Sequence, residues 1–216
     1  MQIEDNEKLK IFLVHSSCAI EGNSYSLDEC YDLILNDQYN KDKTLIESYE
    51  IKNYYNCLSY IFNRYKHLQI SNNLILDLHF MLMKNIISDN GRFKQNNNKI
   101  SGSKFQTCDY KNVYGELNTI NFEYLKDISL AKTDKEKYFA IYKYHWKYEW
   151  IHPFSDGNGR SGRLLMMLMF LANDLKILNV PYQDKYRYYD FLNNFKENES
   201  LEVYENFHSF LEDFTD

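Results

Sequence analysis

The placing of glycine and proline constrains this chain more than any other feature. Its 216 residues hold seven glycines and two prolines. Three of those glycines (Gly157, Gly159, Gly162) and Pro153 fall in the twelve residues from His152 to Arg163, His-Pro-Phe-Ser-Asp-Gly-Asn-Gly-Arg-Ser-Gly-Arg. A chain otherwise poor in helix breakers, with many long periodic apolar runs, is predicted to be mainly helical. Within the cluster, Gly157 and Gly159 flank Asn158 and can take φ > 0 without steric cost. Successive backbone N–H groups can then converge into an anion-binding nest. Leu164 to Leu171, directly after it, is apolar on all sides and reads as a buried helix. The glycine stretch therefore sits at a helix N-terminus, where free N–H groups and the helix dipole favour phosphate.

The side chains of the stretch suit the same purpose. Arg160 and Arg163 are three apart on the first turn and share a face. Arginines there oppose the dipole unless they hold an anion. Asp156 is a hard oxygen ligand of the kind that Mg²⁺ on phosphates requires. His152 is the group able to exchange a proton near neutral pH, and Phe154 anchors the loop. The residues read as a triphosphate cradle with one metal and one base. Neither a P-loop nor a dinucleotide fingerprint is present.

The segment resembles the signature of the Fic family, His-x-Phe-x-Asp/Glu-Gly-Asn-Gly/Lys-Arg, which His152 to Arg160 matches at every specified position. Arg163 matches the second arginine of the nucleotidyl-transferring members. The resemblance implies a mainly helical fold and AMP transfer from ATP to a Ser, Thr or Tyr hydroxyl of a protein, releasing pyrophosphate. It assigns His152 as general base and Asp156 as the ligand of Mg²⁺ (or Mn²⁺). Gly157, Asn158, Gly159 and Arg160 would hold the α- and β-phosphates, and Arg163 the γ-phosphate. Gly159 stands where the kinase-like members carry lysine, which argues against direct kinase chemistry. Two other readings stay open. One is AMP removal or transfer of a related phosphate-containing group; the other is a nucleotide-binding regulatory module without turnover.

The rest of the chain adds to this frame. The first helical run, Asn6 to Glu21, is expected to stop at Gly22. That leaves Glu21 at the negative end of the dipole, where a carboxylate needs a partner. Ser17-Cys18-Ala19-Ile20-Glu21-Gly22 resembles the family's inhibitory motif, Ser/Thr-x-x-x-Glu-Gly/Asn. The resemblance implies that Glu21 pairs with Arg163 and blocks the productive ATP pose, placing the chain with members whose inhibitory helix is N-terminal. Ser26-Leu27-Asp28-Glu29 and Thr133-Asp134-Lys135-Glu136 are capping boxes that open helices. Further helices are expected over Thr44–His67, Ser71–Ser88, Asp109–Leu130, Asp134–Ile151, Lys185–Lys196 and Ser200–Phe214. His79 and His145 fall in apolar patterns and read as core histidines. From Arg92 to Cys108 the chain turns polar. It is predicted to form one small β-hairpin, which the resemblance makes a flap that clamps the target by strand addition. Tyr186, Tyr188 and Tyr189 cluster around Arg187. The family sets a tyrosine pair there against adenine, which marks Tyr189, whereas Lys196 replaces an adenine-binding asparagine.

These features predict an all-α domain of residues 1–216 with a single hairpin. The net charge of −6 argues against a nucleic-acid partner. With no long apolar span and no signal-peptide core at the N-terminus, neither membrane insertion nor export is expected. Cys18, Cys30, Cys57 and Cys108 lack a Cys-x-x-Cys pair and read as reduced thiols of a cytoplasmic protein. The expected partner is a target protein or the chain itself, and a homo-oligomer is compatible with this reading.

Overall fold

The computed structural model describes residues 3–100, 106–195 and 200–213. Among them the chain is helical: α1 (Ile3–Ile20), α2 (Leu27–Leu35), α3 (Leu45–Arg64), α4 (Asn72–Leu82), α5 (Val113–Leu130), α6 (Asp134–Ile151), α7 (Asn158–Ala172), α8 (Lys185–Phe195) and α9 (Leu201–Glu212), with short 3₁₀ turns at 65–67 and 182–184. Both predicted capping boxes form, at Ser26 and Thr133, and Thr44 builds a third at the start of α3. Each satisfies two N–H groups that would otherwise lack partners.

Helix α7 is the hub. Arg160, Ser161 and every residue from Gly162 to Phe170 are buried, and the helix packs against α6, α3, α4 and α1. The apolar run after the glycine cluster thus behaves as its all-round hydrophobicity requires. Helix α6 lies between α7 and α5 and carries aromatic residues on several faces, including buried Tyr142, Tyr144, Trp146 and Tyr148. Together α6 and α7 present the loop 152–157 between them.

The predicted hairpin is not formed. The described part of 92–108 contains no strand, and residues 101–105, with the expected bend at Ser101-Gly102-Ser103, lie outside the described residues. The reason lies in the hydrogen bonds. The Lys94 N–H donates to Pro153 O at 2.8 Å and the Cys108 N–H to Trp150 O at 3.2 Å. Asn98 Nδ2 donates to Phe154 O at 2.8 Å. The segment spends these donors on the end of α6 and the loop after it, and among the described residues its two arms meet through the Thr107 hydroxyl, which donates to Asn98 O at 2.7 Å, with no main-chain ladder between them. Period-2 patterning cannot foresee this choice. The strand-addition role expected of a flap falls with the hairpin.

Helix α4 also ends sooner than its apolar pattern suggests, at Leu82. Asn53 Nδ2 donates to the Leu82 and Lys84 carbonyls, at 3.1 and 2.7 Å, and Asn85 turns left-handed at φ 63°. A long-range side chain thus satisfies the carbonyls that a further turn would have used.

Candidate active site

The site begins where α6 stops. His152 caps that helix in the left-handed region, at φ 49° and ψ 62°. Pro153 after it disfavours the right-handed helical state for His152. The loop then runs to Gly157, left-handed at φ 78°, which opens α7 without a side-chain cap. The first turn of α7 thus has no side-chain cap, and of the two glycines flanking Asn158 only Gly157 takes a positive φ. Asn158 ties the loop back on itself, accepting from the Phe154 N–H at 2.8 Å and donating to Phe154 O at 2.9 Å. Phe154 is fully buried and stacks on His79 at 3.5 Å between ring centres. The Nδ1 of His79 accepts from the Gly91 N–H at 2.9 Å, so its Nε2 donates to Asp156 O at 3.0 Å. His79 is thus a core histidine, and it braces the catalytic-type loop from beneath.

Arg160 and Arg163 are buried, at 4% and 1% exposure, and each already holds a carboxylate. Arg160 Nη1 donates to Glu50 on α3 at 2.6 Å. Arg163 Nη2 donates to Glu21 at 2.6 Å and to the Ser17 carbonyl at 3.1 Å, and its Nε donates to Ser17 Oγ at 2.8 Å. Arginine at a helix N-terminus needs an anion, and here protein carboxylates fill that need. The Glu21 carboxylate lies over the first turn of α7. A Cβ placed on Gly159 would come within 2.5 Å of Glu21 Oε1 and 3.0 Å of Arg163 Nη1. Glycine at 159 is what lets both charged groups approach the helix backbone. Burial pushes the Glu21 carboxyl up, but Arg163, helped by Arg160 and His152, outweighs it and holds it below the usual carboxylate range. Gly22 fixes where Glu21 stands. At φ 96° it closes α1 with a Schellman pair, Asn23 N–H to Cys18 O and Gly22 N–H to Ala19 O, both 3.1 Å.

Burial lowers the His152 imidazole to about 4, with Lys94 adding to the effect and the Glu149 carbonyl, Glu21 and Asp156 opposing it. The ring is neutral at pH 7 and able to accept a proton. Asp156 is exposed. One of its oxygens accepts from the Gly157 N–H at 2.6 Å and lies 3.6 Å from Arg160 Nη2. Among the described residues no group of three or more metal-type ligands exists. A lone exposed carboxylate beside a cluster of N–H donors does not make a cage. It does fit the way Mg²⁺ is commonly held, by one carboxylate together with the oxygens of a bound polyphosphate.

The tyrosine cluster is split by the fold. Tyr186 is 74% exposed, while Tyr188 is buried and its hydroxyl pairs with His145 Nε2 at 2.8 Å. Tyr189 lies at the end of α1, donating to Ile20 O at 3.3 Å. Lys196 lies outside the described residues. Four neighbours of the site escaped the sequence reading: Glu50, Lys94, Glu149 and Lys185. Lys185 Nζ reaches Ile20 O at 3.3 Å, beside Tyr189. Glu149 is buried, and burial pushes its carboxyl up to about 8, against the pull of Arg163. It is thus protonated at pH 7. A carboxylate among Tyr148, Trp150 and Ile151 near the end of an aromatic helix is the signal that could have exposed it. Glu50 and Lys185 act across distant parts of the chain, and no local pattern marks them.

Fold and loop together describe a helical protein whose central helix α7 opens at an uncapped glycine turn beside a buried histidine. Residues 69–170 match the Fic/DOC family model. It is 27% identical over 191 residues to a protein of Aedes aegypti named protein adenylyltransferase Fic, covering 83% of this chain and 36% of that one. A like-named protein of Caenorhabditis elegans is 27% identical over 180 residues, covering 82% and 34%. The chain thus spans about a third of the length of these curated relatives. A solved Fic-domain signaling protein of Bacteroides thetaiotaomicron superposes with a TM-score of 0.80 at 18% identity, covering 97% of this chain and 82% of that one. Caenorhabditis elegans Fic-1 gives a TM-score of 0.81 at 22% identity, covering 96% and 60%. At these identities the superpositions speak for the fold.

Proposed function

We propose that this chain is a protein adenylyltransferase held inactive by Glu21. The observation that carries the reading is the Glu21 carboxylate on Arg163, at 2.6 Å, over the N-terminus of α7. A carboxylate at that point occupies an anion position and its cation together. The names of the Aedes aegypti and Caenorhabditis elegans relatives support the reaction class.

The nucleotide is ATP. Its α- and β-phosphates lie against the first turn of α7, at Gly157, Asn158, Gly159 and Arg160, where they compete with Asp156 for the Gly157 N–H, and its γ-phosphate replaces Glu21 on Arg163. Preorganised donors of this kind act without reorganising at the moment of reaction. Asp156 holds Mg²⁺ (or Mn²⁺) together with the phosphates, and the ion offsets phosphate charge when bound. Tyr189 borders the nucleobase. His152 takes the proton from the target hydroxyl as its oxygen forms a bond to the α-phosphorus. The bond from that phosphorus to the bridging oxygen breaks, and pyrophosphate leaves. The triphosphate's negative charge raises the depressed basicity of His152 toward the range a general base needs. Such a base contributes about 10²–10⁴-fold. The acceptor is a Ser, Thr or Tyr hydroxyl of a partner protein or of the chain itself, and residues 1–216 act as one domain. All four cysteines are buried and free, which fits the reducing cytoplasm.

The test is AMP incorporation from α-labelled ATP with Mg²⁺, comparing the parent chain with Glu21→Gly. Label appearing on protein mainly in the variant is expected. Equal labelling removes the inhibitory role, and ATP binding without label in either removes AMP transfer.

A further inference from the structure

We propose that Lys94 is a positioning residue for His152, clamping the peptide units on both sides of it so that the imidazole stays fixed beside the anion cradle. The inference rests on the base role given to His152 above. Lys94 is 3% exposed. Its backbone N–H donates to Pro153 O at 2.8 Å and its ammonium donates to Ile151 O at 3.1 Å. One residue thus holds the carbonyls before and after His152. Asn98 extends the clamp, accepting from the Lys94 ammonium at 2.9 Å and donating to Phe154 O at 2.8 Å. What needs clamping is a left-handed backbone at a residue with a Cβ, φ 49°, which is strained and persists only where its surroundings enforce it.

The charge itself needs a reason. Among the described residues the ammonium meets neutral acceptors only: Ile151 O, Asn98 Oδ1 and, at 3.5 Å, Thr107 Oγ1. Burying a cation whose carboxylate neighbour, Asp109, does not reach hydrogen-bond distance is costly, and a neutral side chain would leave the backbone clamp to Pro153 in place. The ammonium adds something a neutral residue cannot. It pulls on the last carbonyls of α6 with a charge-assisted bond, and it disfavours a proton on the neighbouring imidazole. Glu21, Asp156 and the Glu149 carbonyl act on His152 in the opposite sense. Lys94 is the cation that offsets them.

The experiment uses the full chain, with the His152 imidazole titrated by NMR and AMP labelling measured in the Glu21→Gly background. Two neutral replacements are made, Lys94→Met to match the stem and Lys94→Gln to keep a donor, with Lys94→Arg as the conservative variant. In a folded neutral variant the His152 midpoint moves upward and labelling falls about 10- to 100-fold, the scale of a misplaced reacting group. Lys94→Arg restores both. A folded neutral variant with the parent's midpoint and rate overturns the proposal. Failure of both neutral variants to fold, with Lys94→Arg folded, also overturns it, in favour of a role in folding alone. Absence of label from Glu21→Gly with Lys94 intact defeats the base role, and the NMR titration then decides the clamp independently.

Discussion

Arg163 shows how much a single side chain can be asked to do. Its guanidinium spends Nε and Nη2 on Ser17 and Glu21, while Nη1 lies near Gly159. Lysine has neither the planar fork nor the reach to keep this arrangement. In the proposed function, Arg163→Ala would remove both the γ-phosphate contact and the inhibitory partner. It is expected to abolish ATP-dependent labelling even when Glu21 is also removed; normal labelling by that double variant would end the role given to Arg163. His152→Ala is expected to lose transfer by about 10²–10⁴-fold while keeping nucleotide binding, read as an ATP-induced thermal shift. Gly162 makes a different demand. A Cβ there would meet Glu149 Oε1 at 2.5 Å, Tyr148 Cδ1 at 3.1 Å and His145 Cε1 at 3.2 Å. The histidine is tethered to Tyr188, so the neighbours yield poorly. Gly162→Ala should cost about 1–3 kcal/mol by overpacking, measured by urea unfolding.

At the scale of elements, the packing of α1 bears on how the proposed inhibition would be lifted. Ile11, Leu13, Val14 and Ile20 on this helix are 0–1% exposed. At about 1.5–3 kcal/mol for each buried aliphatic side chain, these four together contribute about 6–12 kcal/mol. That approaches the whole net stability of an ordinary domain, about 5–15 kcal/mol. The helix therefore stays docked, and release of Arg163 is a movement of the Glu21 side chain and the helix end. Lys185 and Tyr189 hold that end through the Ile20 carbonyl. Lys185→Met should raise labelling when Glu21 is present and leave it unchanged in the Glu21→Gly background. An equal gain in both backgrounds would show that Lys185 acts elsewhere. Since a ligand stabilises only what it binds, the ATP-induced rise in melting temperature should also be larger in Glu21→Gly than in the parent chain.

For the molecule as a whole, buried titratable groups set the pH range of stability. Burial lowers His79 to about 4, His145 to about 3 and His152 to about 4, against about 6.5 in an unfolded chain. Between these values the unfolded state binds more protons, so their contribution is present above pH 6.5 and is lost as pH falls toward 4. Glu149 has the opposite sign. Its folded value of about 8 lies above the ordinary carboxyl value, so its contribution is lost as pH rises toward 8. Three histidines outweigh one carboxyl below pH 6.5, and Glu149 dominates above it. Unfolding free energy should peak near pH 6.5–7, and Glu149→Gln should flatten the alkaline side and steepen the acid side, where Glu149 opposes the histidines. A flat profile from pH 5 to 8 by calorimetry would contradict the buried, neutral state of these groups.

The sequence by itself determined the helical class, the capping boxes, the buried α7 and the glycine turn at its start. Each follows from periodicity or backbone sterics within a few residues. It also marked Glu21 as a carboxylate lacking a local partner, because a helix end repels one. The family resemblance of the motif named Arg163 as the cation Glu21 meets, and the fold brings the two together; only tertiary structure decided that Glu50 holds Arg160, and that Lys94 and Asn98 bond the loop around His152. Those pairings span distances along the chain that no window covers, and their strength comes from burial, which exists only after folding. The same long-range bonds overruled the hairpin. A polar segment with two extended pieces has many ways to satisfy its donors, and here the carbonyls at the end of α6 and in the loop that follows it offered the better partners.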